Sequence, residues 1–302
     1  IKASNNFNIR GSISTGFRAP SLAQVYYNLR FTNFSSGGAS EVLLSPNNSP
    51  VTKGFGIQKL NEEKALNASL GFTANFGDFT ATVDGYYINV KDRIVLTGYF
   101  DASSLNIGVD KAQFFVNGVD TKTNGLDIVL SWKKKFAEQS FSAALVGNIN
   151  NMKIGSVKNG TLDKEIFFGE REKAFLLASA PDNKFGLNLN YDKKWFNAGL
   201  AFTRFSEVKL IDYQASEDVA NYGGSFENQI KAATDTYTAK LVTDLTLGFK
   251  LSKATKLSIG ANNLFNIYPD QQDDWVEGGG YWDAVQMGFG GAYYYARLGF
   301  NF

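Results

Sequence analysis

The side chains able to hold or move charge in this sequence form a narrow set. There is no histidine and no cysteine, which removes imidazole bases, Ser-His triads, thiolate nucleophiles, zinc-finger spacings and disulfide frameworks together. Carboxylates remain, closely spaced at Glu62 with Glu63, Glu170 with Glu172, and Asp273 with Asp274. Acid–base work by such a pair needs burial or mutual repulsion to lift one pKa. All three pairs stand in loop-like stretches with no visible apolar cover, so each reads as a solvated charged loop, and an enzyme is not expected. Asp270, Asp273 and Asp274 in YPDQQDDW could offer oxygens to calcium, but the glycine turn and closing glutamate of a calcium loop are missing. Gly278 to Gly280 and Gly288 to Gly291 lack the strand-to-helix context of a phosphate cradle and read as flexible loop. Neither a metal nor a cofactor is expected.

Aromatic rings are the stronger candidates for binding. Tyr26, Tyr27, Phe31, Trp275, Tyr281 and Trp282 fall in long connecting segments, where a ring offers large contact area with few rotors to freeze. The same rings could equally pack a loop against itself. A second group, Arg10, Asp84, Asp127, Asp244, Lys250 and Arg297, occurs as single charges inside alternating stretches.

Those stretches supply the architecture. Leu66, Ala68, Leu70, Phe72, Ala74 and Phe76 alternate with Asn67, Ser69, Gly71, Thr73 and Asn75, and Tyr294, Ala296, Leu298, Phe300 and Phe302 alternate in the same way. Period two marks strands with one apolar face. About ten such strands can be counted. The connections alternate as well: Phe76 to Asp78, Lys133 to Ser140, Asp192 to Lys194 and Ser252 to Ala254 are short. Phe17 to Glu63, Gly98 to Ala112, Asn151 to Pro181, Ser206 to Thr236 and Asn266 to Gly291 are long. Strands of about ten residues with that rhythm are the mark of an outer-membrane β-barrel; a water-soluble β-sandwich or propeller is the competing class. Length admits one such domain. The lack of a long apolar run excludes a membrane-crossing helix, and a net charge of +1 gives no reason to expect nucleic acid. Trp132, Tyr191 and Trp195 border short turns, where rings favour the hydrocarbon–headgroup boundary. Short turns are expected at the periplasmic end and long loops outside. The opening IKASNNFNIRGS has no starting methionine and no secretory signal pattern.

Four segments carry a family likeness. Arg10 to Tyr26, RGSISTGFRAPSLAQVY, resembles the strand-end motif of TonB-dependent outer-membrane receptors. In order after it, Lys59 to Lys64 with Leu70-Gly71-Phe72, then GANNLFN from Gly260 to Asn266, then YARLGFNF from Tyr295 to Phe302, resemble further segments of that family. Asn61 stands where the family often has proline. The likeness implies an all-β, antiparallel transmembrane barrel, its ten up-and-down strands being part of 22. Residues 1–302 would then be a partial barrel domain, the plug domain and N-terminal barrel strands lying outside it. It further implies energised uptake of a scarce or bulky nutrient, whether siderophore, haem, vitamin or oligosaccharide. The implied partners are the plug domain of the same polypeptide, the TonB complex, and lipid or lipopolysaccharide, in the bacterial outer membrane. On this view the single charges from Arg10 to Arg297 face the lumen or plug, the six rings face substrate, and Phe302 is an assembly signal. The alternative is a self-contained ten-stranded pore or binding barrel, which an even strand count permits.

Overall fold

A computed structural model describes residues 1–35, 38–211, 225–271 and 286–301. In chain order the strands are β1 (Phe7–Arg18), β2 (Leu29–Ser35), β3 (Gly38–Leu44), β4 (Glu63–Phe76), β5 (Phe79–Leu96), β6 (Phe100–Asp101), β7 (Lys111–Gln113) and β8 (Phe115–Phe136). They continue with β9 (Gln139–Val157), β10 (Asn183–Lys193), β11 (Phe196–Phe205), β12 (Val208–Ile211), β13 (Thr234–Tyr237), β14 (Lys240–Lys250), β15 (Thr255–Asn262) and β16 (Tyr293–Phe300). Short helices α1 (Leu22–Tyr26), α2 (Pro50–Gly54), α3 (Lys164–Phe168) and α4 (Glu170–Ala178) sit in the long connections.

Ten strands form one antiparallel sheet in the order β1-β4-β5-β8-β9-β10-β11-β14-β15-β16. Each pairs with the next along this series, so the expected up-and-down arrangement is present. The sheet does not close, since β1 and β16 are its two ends. Strands β1, β10, β11 and β14 have 12, 11, 10 and 11 residues, close to the 9–11 or so that a tilted strand needs to cross hydrocarbon. Among the described residues no helix is long and apolar enough to cross a membrane.

Strands β5, β8 and β9 run to 18, 22 and 19 residues, longer than alternation alone indicates. Lys133, Lys134 and Lys135 are paired in β8 with Ser142, Phe141 and Ser140, so the turn is only Ala137 and Glu138. The apolar pattern stops where the headgroups would begin, but backbone pairing does not. At the opposite end Val116 and Val119 are buried in β8 ahead of the first alternating residue, because they pack against the connecting segments.

Cross-strand partners share a face. One register row reads Ile9, Phe72, Val83, Ile128, Gly147 and Phe185, and the adjacent row reads Arg10, Gly71, Asp84, Asp127, Asn148 and Lys184. The apolar face ends, near the short turns, in a chain of rings. Phe141 lies 4.7 Å from Tyr191, Tyr191 6.1 Å from Phe196, and Phe196 5.2 Å from Phe249, centroid to centroid, with Trp195 5.7 Å from Phe196. Such rings suit a membrane boundary.

The polar face is knitted over glycines. Arg10 reaches across β4 to form an ion pair with Asp84 on β5, its Nε donating over 2.7 Å, and the strand between offers Gly71 at that register. Tyr86 lies over Gly125 in the same manner, and its hydroxyl accepts from Asn148 Nδ2 at 3.0 Å. Tyr295 lies over Gly260 and comes within 3.2 Å of Thr246 Oγ1.

The buried hydrophobic core lies beyond the long-connection end of the sheet. There β2, β3, β7 and β6 form a second sheet in that order, with β3 and β7 parallel. Leu43, Phe100, Phe114, Val116, Phe167 and Phe168 belong to one buried cluster, with Phe114 5.1 Å from Phe55 and 5.7 Å from Phe100. The long connections, expected as loops, therefore build a folded cap.

A methyl group added at Gly71 would stand 2.6 Å from the Val83 carbonyl oxygen and collide with the Asp84 carboxylate, whereas one at Gly85 would meet Leu126 at 3.6 Å. Gly71→Ala is expected to destabilise the barrel by about 1–3 kcal/mol through overpacking and Gly85→Ala to leave it near neutral. Urea titration of the two variants in detergent micelles checks this; equal midpoints would refute the glycine-crossing account.

Candidate ligand-binding site

The long-connection end of the polar face is fixed by one carboxylate. Arg18 and Glu63 are the last registered pair of β1 and β4. The guanidinium binds in a fork, Nε to Oε2 at 2.8 Å and Nη2 to Oε1 at 2.5 Å, the geometry that makes arginine–carboxylate pairs strong. Glu63 Oε1 also accepts the Ile94 backbone N–H at 2.7 Å, so one side chain joins β1, β4 and β5. The GFRAP and NEE motifs meet at this junction. Asn61, just before it, donates its backbone N–H to Asn117 Oδ1 at 2.8 Å, a bond that proline could not make.

Beside it the β5–β8 register slips between Val90 and Arg93 and again before Ile94. Asp92 takes a left-handed φ of 57° there and donates its N–H to Asp120 Oδ1 at 2.9 Å, while Lys158 bridges Asp120 at 2.7 Å and Asp92 at 2.5 Å. A bulge re-aims side chains, and Arg93 is turned so that its Nη1 lies 3.4 Å from Thr121 Oγ1 and its side chain lines a cavity.

The cavity holds about 770 Å³ and lies between this rim and α4. Asp163 caps α3 by accepting from Glu165 N at 2.8 Å. The following α4 is capped by its own Glu172, whose Oε2 accepts from Gly169 N at 3.0 Å. Arg171 stacks over Phe175 at 4.7 Å and lies 3.8 Å from Glu172 Oε1. Phe31, Tyr99, Phe168 and Leu176 complete the apolar wall. Three guanidinium groups, Arg18, Arg93 and Arg171, face two carboxylates, Glu63 and Glu172. Burial pushes the Glu172 carboxyl above the ordinary range, against the opposing pull of Arg171. The site is thus suited to an anion that also presents flat apolar surface.

Of the six rings expected to meet substrate, Phe31 lines the cavity. Tyr26 and Tyr27 are exposed on and just after α1, and Trp275, Tyr281 and Trp282 lie outside the described residues, as does Phe302. The charges Arg10, Asp84, Asp127, Asp244, Lys250 and Arg297 all fall on the polar face by register. None lines the cavity. Asp127 accepts from Asn148 Nδ2 at 2.8 Å, and Asp244 accepts from Asn263 N at 2.7 Å. The GANNLFN segment ends β15 and then turns, with Asn263 and Asn266 adopting φ of 51° and 56°. Asn263 closes it by donating to Ile267 O and accepting from Ile267 N, at 2.7 and 2.8 Å. Asp270 accepts from Thr238 N at 2.6 Å and from Lys240 Nζ at 2.5 Å, tying two connections together.

Glu170 and Glu172 require a correction. They belong to a helix rather than a solvated loop, and Glu172 is largely buried within the cap; Glu63 likewise is buried, as the first residue of β4. The signal was the run Ala174 to Ala178, apolar for five residues after a charged first turn. Arg93, Tyr99, Phe168, Arg171 and Phe175 were also missed, because a bulge and a helix in a long connection leave no period-two trace.

An open antiparallel meander with ring-bounded apolar face, charged polar face and folded outer cap defines a receptor-type membrane barrel wall. Residues 2–264 match the family model for the TonB dependent receptor-like beta-barrel, and the chain belongs to that family. Its members and the similar solved structures are receptors and transporters, not enzymes. Among those structures is the siderophore receptor PirA from Acinetobacter baumannii, 17% identical with a TM-score of 0.62, over 100% of this chain and 40% of that one. The ferric enterobactin receptor PfeA from Pseudomonas aeruginosa, as a G324V mutant, is 16% identical with a TM-score of 0.60, over 99% and 39%. The pyoverdine receptor FpvA from Pseudomonas aeruginosa PAO1, bound to pyoverdine, is 11% identical with a TM-score of 0.56, over 99% and 34%. Identities this low speak for the fold alone, and the chain spans about two-fifths or less of those proteins' length. No curated protein matches in sequence.

Because the folded pKa of Glu172 lies above its unfolded value, the folded state binds more protons in the interval between them. Cap stability should therefore fall as pH rises from the ordinary carboxylate range through the raised value, and level off beyond it. Glu172→Gln keeps an acceptor for Gly169 N and is expected to remove that slope and raise stability at neutral pH. Thermal unfolding at a series of pH values tests this, and an unchanged slope in the variant would count against a buried, charge-penalised Glu172.

Proposed function

We propose that this chain is an arc of the wall of a 22-stranded, TonB-dependent receptor in the bacterial outer membrane, which binds a scarce or bulky nutrient outside and imports it. On this reading the apolar face meets lipid and lipopolysaccharide. The polar face bounds a lumen filled by a plug domain of the same polypeptide, so that Arg10, Asp84, Asp127, Asp244, Lys250 and Arg297 face plug or water. TonB, driven by the inner-membrane proton gradient, would remodel that plug to release cargo inward. Membership of the family and the unclosed sheet support this. A self-contained ten-stranded pore would require β1 to pair with β16, because unpaired backbone is not tolerated in hydrocarbon.

The observation that carries the substrate reading is the cavity of Arg18, Arg93 and Arg171 with Phe31, Tyr99, Phe168 and Phe175. An excess of guanidinium over carboxylate selects an anion, and the rings give contact area to conjugated groups. Siderophore-like ferric chelates combine those traits. A neutral oligosaccharide would leave Arg93, the guanidinium in excess of the two carboxylates, without a carboxylate of its own, which is costly when buried. Tyr26 and Tyr27, exposed nearby in sequence, and Trp275, Tyr281 and Trp282 belong to the outward segments where cargo would first be met.

The test is equilibrium binding of a ferric tris-catecholate and of a neutral oligosaccharide to the full-length receptor. Arg93→Ala and Arg171→Ala are each expected to weaken chelate binding by ~10–100-fold, the loss of one charge-assisted hydrogen bond of about 1.5–3 kcal/mol, with heat-modifiable migration on gels unchanged. Unaltered chelate affinity in both variants, or tighter binding of the oligosaccharide, would overturn the assignment.

A further inference from the structure

The polar face carries a second cationic site, remote from the cavity, at the short-turn end of β14–β16. Lys250 and Lys256 are direct cross-strand partners. Arg297, opposite Ser258 on β16, stands one same-face step away. All three are exposed. Like charges placed directly opposite destabilise a strand pair, so this arrangement works against the sheet that contains it. The other barrel-wall arginines of this face, Arg10 and Arg18, are held by Asp84 and Glu63. Their backbones are paired within the sheet, but the side chains of Lys250, Lys256 and Arg297 make no ion pair or hydrogen bond with any described residue.

The carboxylates of the same face do not reach them. Asp244 is three same-face steps along β14 from Lys250 and already accepts from Asn263. Asp192 pairs with Asn197, which in turn pairs with Gly248, so β11 separates it from the lysines. Lipid phosphate is on the wrong side: the apolar neighbours Phe249, Leu257 and Leu298 share the opposite face. On the cations' own face the surface is open at Gly299, while the Asn197 side chain covers Gly248. Side chains on adjacent strands stand roughly parallel and do not converge on one point as a phosphate pocket requires. They match instead a segment that presents successive carboxylates along its length.

We infer that Lys250, Lys256 and Arg297 dock an acidic polypeptide segment against the inner-end rim of the barrel wall. This rests on the reading of the polar face as lumen, and adds the sign, place and chemistry of one contact made there. Such a contact would neutralise the Lys250–Lys256 repulsion, so the wall is more stable with its occupant than without it.

Carbodiimide treatment of the full-length receptor in outer-membrane vesicles reads the contact directly, because it joins a lysine amine to a carboxylate that touches it. The expected product, mapped by mass spectrometry, links Lys250 or Lys256 to an Asp or Glu outside these 302 residues. It should disappear in the Lys250→Arg, Lys256→Arg double variant, which keeps the charge and the fold but offers no amine. No cross-link, or one only to Asp192, Asp244 or another carboxylate of this chain, would overturn the inference. The lumen reading is checked separately with single cysteines introduced among these 302 residues, which contain none. A fluorophore at Leu257→Cys should be quenched by brominated lipid and one at Ser258→Cys should not. The reverse pattern would sink the lumen reading, whereas the expected pattern without a cross-link would sink only the acidic partner.

Discussion

A strand that crosses hydrocarbon has no water for its backbone, so every N–H and C=O must find a partner on a neighbouring strand. That requirement governs this chain. It forces ten strands into one meander in which each pairs with the next, and it makes the side chains rather than the backbone responsible for telling two very different surroundings apart. Period-two alternation follows directly: Phe72 and Val83 share one face while Gly71 and Asp84 share the other. The ring chain from Phe141 to Phe249 then marks where the apolar surroundings end.

Beyond that limit water returns and the requirement relaxes, and different physics takes over. The connections bury Phe114, Phe167 and Phe168 against one another as any soluble domain would. The junction of Arg18, Glu63 and Ile94 sits where the two regimes meet. It holds three strands in register at the point where β5 breaks its own regularity to present Arg93. The cavity is therefore placed where the chain first becomes free to depart from alternation, with the rigid sheet beneath as its support.

This division explains what was legible in the sequence. Leu66 to Phe76 and Tyr294 to Phe300 announce strands because lipid on one side and a polar space on the other write a strict period into the residues. The same alternation sets Lys250 and Arg297 on the polar face, where the register has them. It failed for Lys133 to Lys135, where pairing continues past the apolar pattern, and for Val116, buried by packing that has no period. Glu172 is not legible because it stands on a helix of nine residues, too few turns to show periodicity. Arg93 was invisible because a bulge depends on Asp120 and Lys158, residues far away in sequence. Phe31 was found for its type alone, and Tyr26 and Tyr27, chosen on the same grounds, stay outside the cavity.

The glycine crossings have a consequence for how such a wall can change size. Most contacts on the sheet join immediate neighbours, so a duplicated hairpin could be spliced between two strands and each would simply greet a new neighbour. Arg10 with Asp84 spans β4, Tyr86 with Asn148 spans β8, and Tyr295 with Thr246 spans β15. Splicing inside any of those triplets would part a pair that depends on a single intervening strand. The circumference is free to grow between triplets and locked within them, so these crossings divide the wall into indivisible staves.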